Sequence, residues 1–193
     1  MSKAVKMKTP TSRTDGGFTL IELMLVVAIL AMTAAVVAPR IGGTLPSRRL
    51  RAGADEVAGM AAAARSEARL KRIEVEVVYD FDANAIILQG PAATVDEDGN
   101  TVYDAEERED LLTRKMPEGT KIARVYYGQT GIATSGTTAA AFKPSGAVGE
   151  HMVVIENEQG DTLSVFVPAL TGAATVVEEG ASYGEVRSSR RLM

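Results

Sequence analysis

The most prominent pattern in the chain is one uninterrupted apolar run near its N-terminus. It extends over residues 18–38 and contains only Thr19, Glu22 and Thr33 as polar positions. An α-helix rises about 1.5 Å per residue, so about 20 apolar residues are enough to cross the hydrocarbon core of a bilayer. The run therefore predicts a transmembrane helix over residues 18–38.

A stretch of helix breakers follows, and then a pattern with helical period. The stretch PRIGGTLP begins at Pro39 and holds two prolines and two glycines, so we expect the helix to loosen there. Ser47 is a good N-cap and is the expected start of an amphipathic helix. Residues 39–72 are therefore interpreted as a linker followed by the second half of the helix. The predicted buried face has mostly small side chains, which suit close packing against a sheet: Leu50, Ala54, Val57, Ala58, Ala61, Ala64 and Ala68.

Beyond the helix the sequence alternates with a period of two, which is typical of half-buried strands. About six short strands and a hairpin turn at Gly160-Asp161 are predicted within a β-rich globular domain over residues 73–180. One long N-terminal helix followed by these strands predicts an α+β fold, in which the helix packs on a mainly antiparallel sheet. The predicted strands span residues 73–79, 85–89, 121–128, 151–157, 162–168 and 173–179.

The segments between these strands are polar or low in side-chain bulk. Residues 91–110 are acidic and predict an exposed loop or a short hairpin about Asp98 and Gly99. Residues 128–140 predict a loop, and residues 181–193 predict a flexible tail because no periodicity is visible there.

Composition and charge narrow the chemistry. The chain has 193 residues, a formal net charge of −4, no cysteine and one histidine. The acidic balance is not that of a general nucleic-acid coat, and the lack of cysteine rules out disulfides, cysteine-ligated zinc and a thiol nucleophile. His151 has no evident partner in the sequence and is interpreted as a lone surface or strand-end residue. No catalytic residue, metal or cofactor is therefore expected.

Two loop motifs resemble a calcium-binding loop and a catalytic serine loop, but neither has the residue pattern that such a site needs. The stretch DEDGN from Asp96 to Asn100 is acidic, but an EF-hand loop needs glycine at its sixth position and Gly99 is the fourth. We interpret it as a solvated hairpin. Ser135 and Ser145 lie in glycine-containing loops, yet the GxSxG pattern is absent.

The carboxylate inside the apolar run needs an explanation. Residues 1–17 carry four basic side chains against Asp15, so this leader is expected to stay in the cytoplasm. A carboxylate at Glu22 costs roughly 2.5–3.5 kcal/mol within a membrane helix and is usually paired or functional. A secretory signal peptide is shorter than this run, and a plain signal anchor leaves the acid unexplained. Cleavage after Gly17 would give Phe18 a free α-amine, which could neutralise the acid of a neighbouring subunit.

The residues Gly17 to Glu22, GFTLIE, resemble the cleavage and methylation motif of type IV prepilins and type II secretion pseudopilins. The resemblance implies that a membrane aspartyl peptidase cuts after Gly17 and methylates Phe18. It also implies that Glu22, at the fifth mature position, directs assembly and that Pro39 kinks the helix. The implied location is the bacterial inner membrane, crossed once, with the C-terminal domain in the periplasm.

A second resemblance covers the β-rich part of the chain. Residues 61–80 and 141–178 look like the GspH/FimT family of minor pseudopilins, and Thr171-Gly172 matches the turn before the final strand. The resemblance implies a pilin-like roll. The family's Phe-x-Pro-x-Gly element is matched by Phe142, Pro144 and Gly146.

The implied function is that of a minor pseudopilin, which assembles into a periplasmic pseudopilus that helps a type II secretion system export folded proteins. The implied partners are other pseudopilins, the prepilin peptidase and the inner-membrane assembly platform, and the protein itself is not an enzyme. One alternative is a minor pilin of a type IV pilus, in which the basic tail with Arg187, Arg190 and Arg191 contacts DNA during natural uptake. Another is a signal-anchored periplasmic enzyme, for which the sequence offers no catalytic set.

Overall fold

The computed structural model of the protein describes residues 19–42, 45–128, 130–177 and 182–190. The chain divides after Gly42 into two units, which are described separately. The first unit contains helix α1 (Leu20–Gly42), and the second contains the other described elements.

The helix boundaries differ from those expected at Pro39 and Ser47. Helix α1 continues past Pro39 and ends at Gly42, where a glycine favours termination. Helix α2 (Leu45–Lys71) begins before Ser47, so the prediction of Ser47 as N-cap is wrong. The reason is Pro46, which falls in the first turn of α2, where a missing backbone N–H removes no hydrogen bond of the helix.

Helix α2 buries the face that its sequence period predicts. Leu50 is 5% exposed, and Ala54, Val57, Ala61, Ala64 and Ala68 are fully buried, so this prediction is confirmed. Met60 is also buried and extends the same face. Arg72 follows the helix with a φ of 57°, a left-handed conformation that ends the helical path.

Two antiparallel sheets pack against α2. The first has the strand order β3-β2-β1-β6, and the second has the order β5-β4-β7-β8-β9. The structure therefore confirms the α+β class, with a helix on mainly antiparallel sheet. The strands are β1 (Val75–Asp80), β2 (Ala85–Val95), β3 (Thr101–Lys115), β4 (Thr120–Tyr127), β5 (Gly131–Ala133), β6 (Thr137–Phe142), β7 (His151–Asn157), β8 (Thr162–Val167) and β9 (Thr175–Val177).

Of the two expectations for residues 91–110, the hairpin about Asp98 and Gly99 is confirmed, although it is longer than expected, and the exposed loop is wrong. Strands β2 and β3 continue through this segment as one long hairpin, with register shifts after Leu88 and Pro91. The turn is closed by Asp96 and Asn100, between which a backbone hydrogen bond of 3.0 Å runs. The loop interpretation failed because an exposed edge strand can be polar and charged, and backbone pairing rather than side-chain burial holds it.

Two other segments are more regular than expected. Strands β5 and β6 lie within the stretch predicted as a loop, and β6 pairs with β1 along its length. Its alternation is made of threonine and alanine, with Ala140 and Phe142 facing inward, and so carries little bulk. The tail predicted to be flexible contains helix α3 (Tyr183–Arg190). Ser182 and Glu185 start this helix with a capping box, in which the Ser182 N–H donates to the Glu185 carboxylate at 3.0 Å.

Candidate assembly site

The N-terminal helix opens with a capped turn that contains the acid predicted to direct assembly. The backbone N–H of Glu22 donates to the hydroxyl oxygen of Thr19 at 3.3 Å and to its carbonyl oxygen at 3.1 Å. The N–H of Leu23 donates to the same carbonyl oxygen at 3.2 Å. Thr19 is therefore the N-cap of α1, and Glu22 takes the position that a Thr-x-x-Glu capping box gives to its acid.

Apolar side chains surround this acid on the helix surface. Glu22 is exposed, and Leu20 and Ile21 beside it are 79% and 76% exposed. The positive end of the helix dipole favours a carboxylate in the first turn, but the apolar surface offers it no counterion. A surface of this kind needs lipid or another apolar helix as its partner.

Thr33 fits the same apolar helix because its hydroxyl is bonded within the helix. The hydroxyl donates to the carbonyl oxygens of Ile29 and Leu30, each at 2.9 Å. A hydroxyl bonded in this way needs no water.

Within the described ranges, no helix combines enough length with enough apolar character to qualify as a membrane span.

Several predicted site residues cannot be placed. The backbone of Pro39 lies in α1, but its side chain is not among those described, so the kink stays a prediction. Outside the described positions lie Gly17, Phe18, Arg191 and the side chain of Arg190.

The Phe-x-Pro-x-Gly element is a buried aromatic followed by a tight turn. Phe142 is fully buried at the end of β6. The Gly146 N–H donates to the Lys143 carbonyl oxygen at 2.7 Å, and the Lys143 N–H donates to the Ala147 carbonyl oxygen at 2.8 Å. Gly146 has a φ of 86°, which glycine adopts without strain, and Pro144 fixes its own φ within the turn.

The turn at Thr171 and Gly172 packs directly on this element. A Cβ built on Gly172 would lie 3.0 Å from the carbonyl oxygen of Gly146 and 3.1 Å from the Phe142 ring. Arg65 of α2 donates to the Thr171 carbonyl oxygen at 3.2 Å. The motif residues therefore join α2, β6 and the segment before β9, which is a structural role.

Arg187, one of the three arginines considered for DNA contact, is engaged within the protein. Its Nε lies 2.8 Å from Oε1 of Glu150, and its Nη1 donates to the carbonyl oxygen of Gly128 at 3.2 Å. The Tyr183 hydroxyl donates to the same carbonyl oxygen at 2.9 Å. These contacts anchor α3 and neutralise Arg187, which weighs against a role in binding phosphate.

His151 lies at a strand end as predicted, but it is buried and has partners, so its interpretation as a lone surface residue is wrong. It starts β7 but is only 2% exposed, with Nε2 2.9 Å from the Tyr79 hydroxyl and Nδ1 2.6 Å from the Gly149 carbonyl oxygen. Burial lowers the pKa of His151 and raises the pKa of Tyr79. The missed signal is strand alternation, which puts His151 on the same inward face as Val153 and Ile155.

The acidic DEDGN stretch is a turn. The Asp96 carboxylate accepts hydrogen bonds from the N–H groups of Asn100 at 2.7 Å and Asp98 at 3.0 Å. The bond from Asn100 is the main cause of the lowered pKa of Asp96. In the part of the chain that the structure describes, no group of three or more His, Cys, Asp or Glu side chains could hold a metal ion.

Comparison with known proteins bears on the helix start. Residues 12–38 match the model of the prokaryotic N-terminal methylation motif. The chain carries an N-terminal methylation motif. The match includes Gly17, Phe18 and Glu22. Glu22 lies in the capped first turn of α1, whereas Gly17 and Phe18 lie outside the described ranges. No curated protein sequence matches the chain.

The solved structures that resemble the chain include two of the minor pseudopilin EpsH from the type 2 secretion system of Vibrio cholerae. One shares 14% sequence identity with a TM-score of 0.49 and covers 69% of this chain and 99% of EpsH. The other has the same identity and TM-score and covers 70% of this chain and 97% of EpsH.

Proposed function

We propose that the protein is a minor pseudopilin of a type II secretion system, anchored in the bacterial inner membrane and assembled into a periplasmic pseudopilus. The observation that carries the proposal is the methylation motif at the start of α1, where Glu22 is the only charged residue of residues 18–38. The C-terminal unit supplies an α+β domain that can contact neighbouring subunits outside the membrane.

The motif implies a processing step before assembly. In the proposed pathway the basic leader, residues 1–17, stays in the cytoplasm while residues 18–38 span the membrane and the C-terminal unit enters the periplasm. The prepilin peptidase then cleaves between Gly17 and Phe18 and methylates the new N-terminus. Gly17 suits a protease cleft because it has no side chain and adopts an extended backbone freely.

Processing creates a positively charged partner for Glu22. An unpaired carboxylate in a membrane helix costs roughly 2.5–3.5 kcal/mol, and a cation from an adjacent subunit offsets this cost. The cap at Thr19 holds Glu22 in the first turn of α1, and Phe18, which would carry the new amine, is four residues earlier in the sequence. Pairing of the amine on one subunit with Glu22 of the next sets the axial register of the filament.

The proposed partners follow from this architecture. They are the other pseudopilins, the prepilin peptidase and the inner-membrane assembly platform, and the protein performs no chemistry of its own. The DNA-binding pilin alternative is not adopted because Arg187 already pairs with Glu150.

N-terminal mass spectrometry tests the processing step. When the full chain is produced together with a prepilin peptidase, we expect the mature form to begin at N-methylated Phe18. Gly17→Leu should block cleavage, because its side chain cannot enter the cleft as glycine does, whereas Gly16→Leu is the matched control and should be processed. A chain that still begins at Met1, or equal processing of both variants, would contradict the proposal.

Secretion tests the assignment to the parent machine. We expect deletion of the gene to stop export of folded proteins to the medium while surface pili persist, and the wild-type gene to restore export. Loss of pili or of DNA uptake with intact secretion would instead support the type IV pilus alternative.

A further inference from the structure

Asn84 and Tyr79 each make a polar contact that joins the two sheets of the C-terminal unit. Asn84, in the turn between β1 and β2, donates from Nδ2 to the Thr120 carbonyl oxygen at 2.7 Å and accepts at Oδ1 from the Ile122 N–H at 3.1 Å. Tyr79 of β1 contacts His151 of β7 at 2.9 Å. The two contacts lie at opposite ends of the β4–β7 pair, and only the second consists of groups that titrate.

The hydrogen-bond partners fix the protonation of the histidine. Nδ1 of His151 lies 2.6 Å from the Gly149 carbonyl oxygen and must carry a proton, because a carbonyl oxygen can only accept. Nε2 is then the acceptor for the Tyr79 hydroxyl. A second proton at Nε2 turns this acceptor into a donor, so the Tyr79 hydroxyl proton loses its acceptor. It also puts a positive charge on a side chain that is 2% exposed.

Among the described residues that line the same cavity as His151, no free negative charge compensates this positive charge. Glu150 comes just before β7, but its carboxylate already lies 2.8 Å from the Arg187 Nε of α3. Lys143, after β6, and Tyr127 of β4 line the same cavity of about 610 Å³ as the pair. Lys143 adds a further positive charge, and the buried face of α2 is apolar. Protonation therefore weakens the contact.

We propose that the Tyr79–His151 contact is a proton-operated latch: uptake of a proton at Nε2 separates the two sheets at this point and exposes both side chains. The latch belongs to the C-terminal unit and does not depend on the membrane or filament role. Because burial lowers the pKa of His151, the open state binds the proton more readily than the closed state.

The direction of the pH dependence follows. The contact is at full strength above the pKa of about 6.5 that histidine has when exposed. As the pH falls from there toward the lower pKa of the closed state, the opening constant rises by up to about tenfold per pH unit. The latch is therefore closed at neutral pH and weakened in acid.

Nuclear magnetic resonance of the imidazole ring tests the contact itself. His151 is the only histidine of the chain, so its two ring nitrogens can be assigned without ambiguity in the ¹⁵N-labelled full chain in detergent micelles. At pH 7.5 we expect a protonated Nδ1 and an unprotonated Nε2. Tyr79→Phe should raise the pKa of His151, because the neutral ring loses its donor. The opposite tautomer, or an unchanged titration midpoint in Tyr79→Phe, would overturn the proposal.

Amide hydrogen exchange tests the opening. After correction for the intrinsic exchange rate, we expect the opening constant measured on β6 and the start of β7 to rise about tenfold between pH 7.5 and pH 5.5. In His151→Gln the side-chain amide can still donate to Gly149 and accept from Tyr79 but does not titrate, so the rise should disappear. Asn84→Ser is the matched control and should loosen the other contact equally at both pH values. An opening constant that does not change with pH in the wild type, or one that rises equally in His151→Gln, would refute the latch.

Discussion

Arg187 and Glu150 form an ion pair of 2.8 Å that fastens the C-terminal helix to the start of β7. The pair is largely shielded, with side chains 22% and 23% exposed. Beside it, Tyr183 stacks on Tyr126 with ring centroids 5.7 Å apart, and Val186 packs in the same cluster. Helix α3 is thus docked on the outer face of the second sheet by the Arg187–Glu150 pair, by hydrogen bonds to the Gly128 carbonyl oxygen and by a small apolar cluster.

The docking of α3 predicts a measurable effect of Arg187 on stability. Arg187→Gln should lower the free energy of unfolding by about 1 kcal/mol, because a partly shielded pair is screened less than an exposed one. Arg51→Gln is the matched control, since its pair with Asp55 is 63% and 64% exposed and should contribute little. Chemical denaturation of the full chain in micelles measures both. Equal losses in the two variants would mean that the Glu150 pair does not anchor the helix.

The contact between the turns at Gly146 and Gly172 predicts that alanine lowers stability more at Gly172 than at Gly160. Gly172 and Gly160 have φ values of 58° and 86°, so alanine is strained at both, by about 1–2 kcal/mol. At Gly172 the new Cβ would also meet Gly146 and Phe142, whereas at Gly160 nothing lies within 4 Å. We therefore expect Gly172→Ala to lower the free energy of unfolding by about 1 kcal/mol more than Gly160→Ala. Equal losses of stability in the two variants, measured by thermal unfolding, would argue against this contact between the turns.

The small-residue face of α2 predicts sensitivity to volume. Ala61→Leu should lower the free energy of unfolding by about 1–3 kcal/mol, because Ala61 is fully buried against the sheets and the added atoms have no space. Ala62→Leu introduces the same atoms on the exposed side of the same helix turn and should change stability by less than about 0.5 kcal/mol. A tolerated leucine at Ala61 would show that α2 is not tightly packed.

The fold was predictable where side-chain burial follows a clear period. The buried face of α2 shows that period, whereas the β7–β8 hairpin was marked by two apolar segments on either side of Gly160-Asp161; both predictions are confirmed. Strand β6 was missed because threonine and alanine give its alternation almost no hydrophobic contrast. The length of strand β3 was missed because backbone pairing at an edge needs no apolar side chains. Among the described side chains of helix α3, Tyr183 and Val186 are the buried ones, too few to register as periodicity.

The residues of the candidate site also divide into those that the sequence could predict and those that it could not. The start of α1 could be read from sequence because its motif is local: glycine, aromatic and acid stand at fixed spacing. The partners of His151 and Arg187 could not, because Tyr79 and Gly128 are distant in sequence and only the pairing of strands brings them close. The sequence predicts local chemistry, whereas contacts between elements require the register of the sheets.

Glu22 has two possible roles that a single substitution can separate. Its position after Thr19 is that of the acid in a capping box, which would stabilise the start of α1, whereas the proposed filament needs its negative charge. Glutamine serves a capping box as well as glutamate and keeps the shape of the side chain, but it cannot neutralise an ammonium group. If charge pairing governs assembly, Glu22→Gln should reduce incorporation into cross-linked oligomers about tenfold or more, while cleavage after Gly17 continues.

The control for this experiment is the cap itself. Thr19→Ala removes the hydroxyl oxygen that accepts from Glu22 and should cost the helix start about 1 kcal/mol while leaving the charge in place. Cross-linking in cells that also produce the prepilin peptidase and sibling pseudopilins compares the two variants. Strong assembly by Thr19→Ala with weak assembly by Glu22→Gln assigns Glu22 to charge pairing between subunits. The reverse order would assign it to helix capping, and the pairing of Glu22 with a neighbouring amine would have to be abandoned.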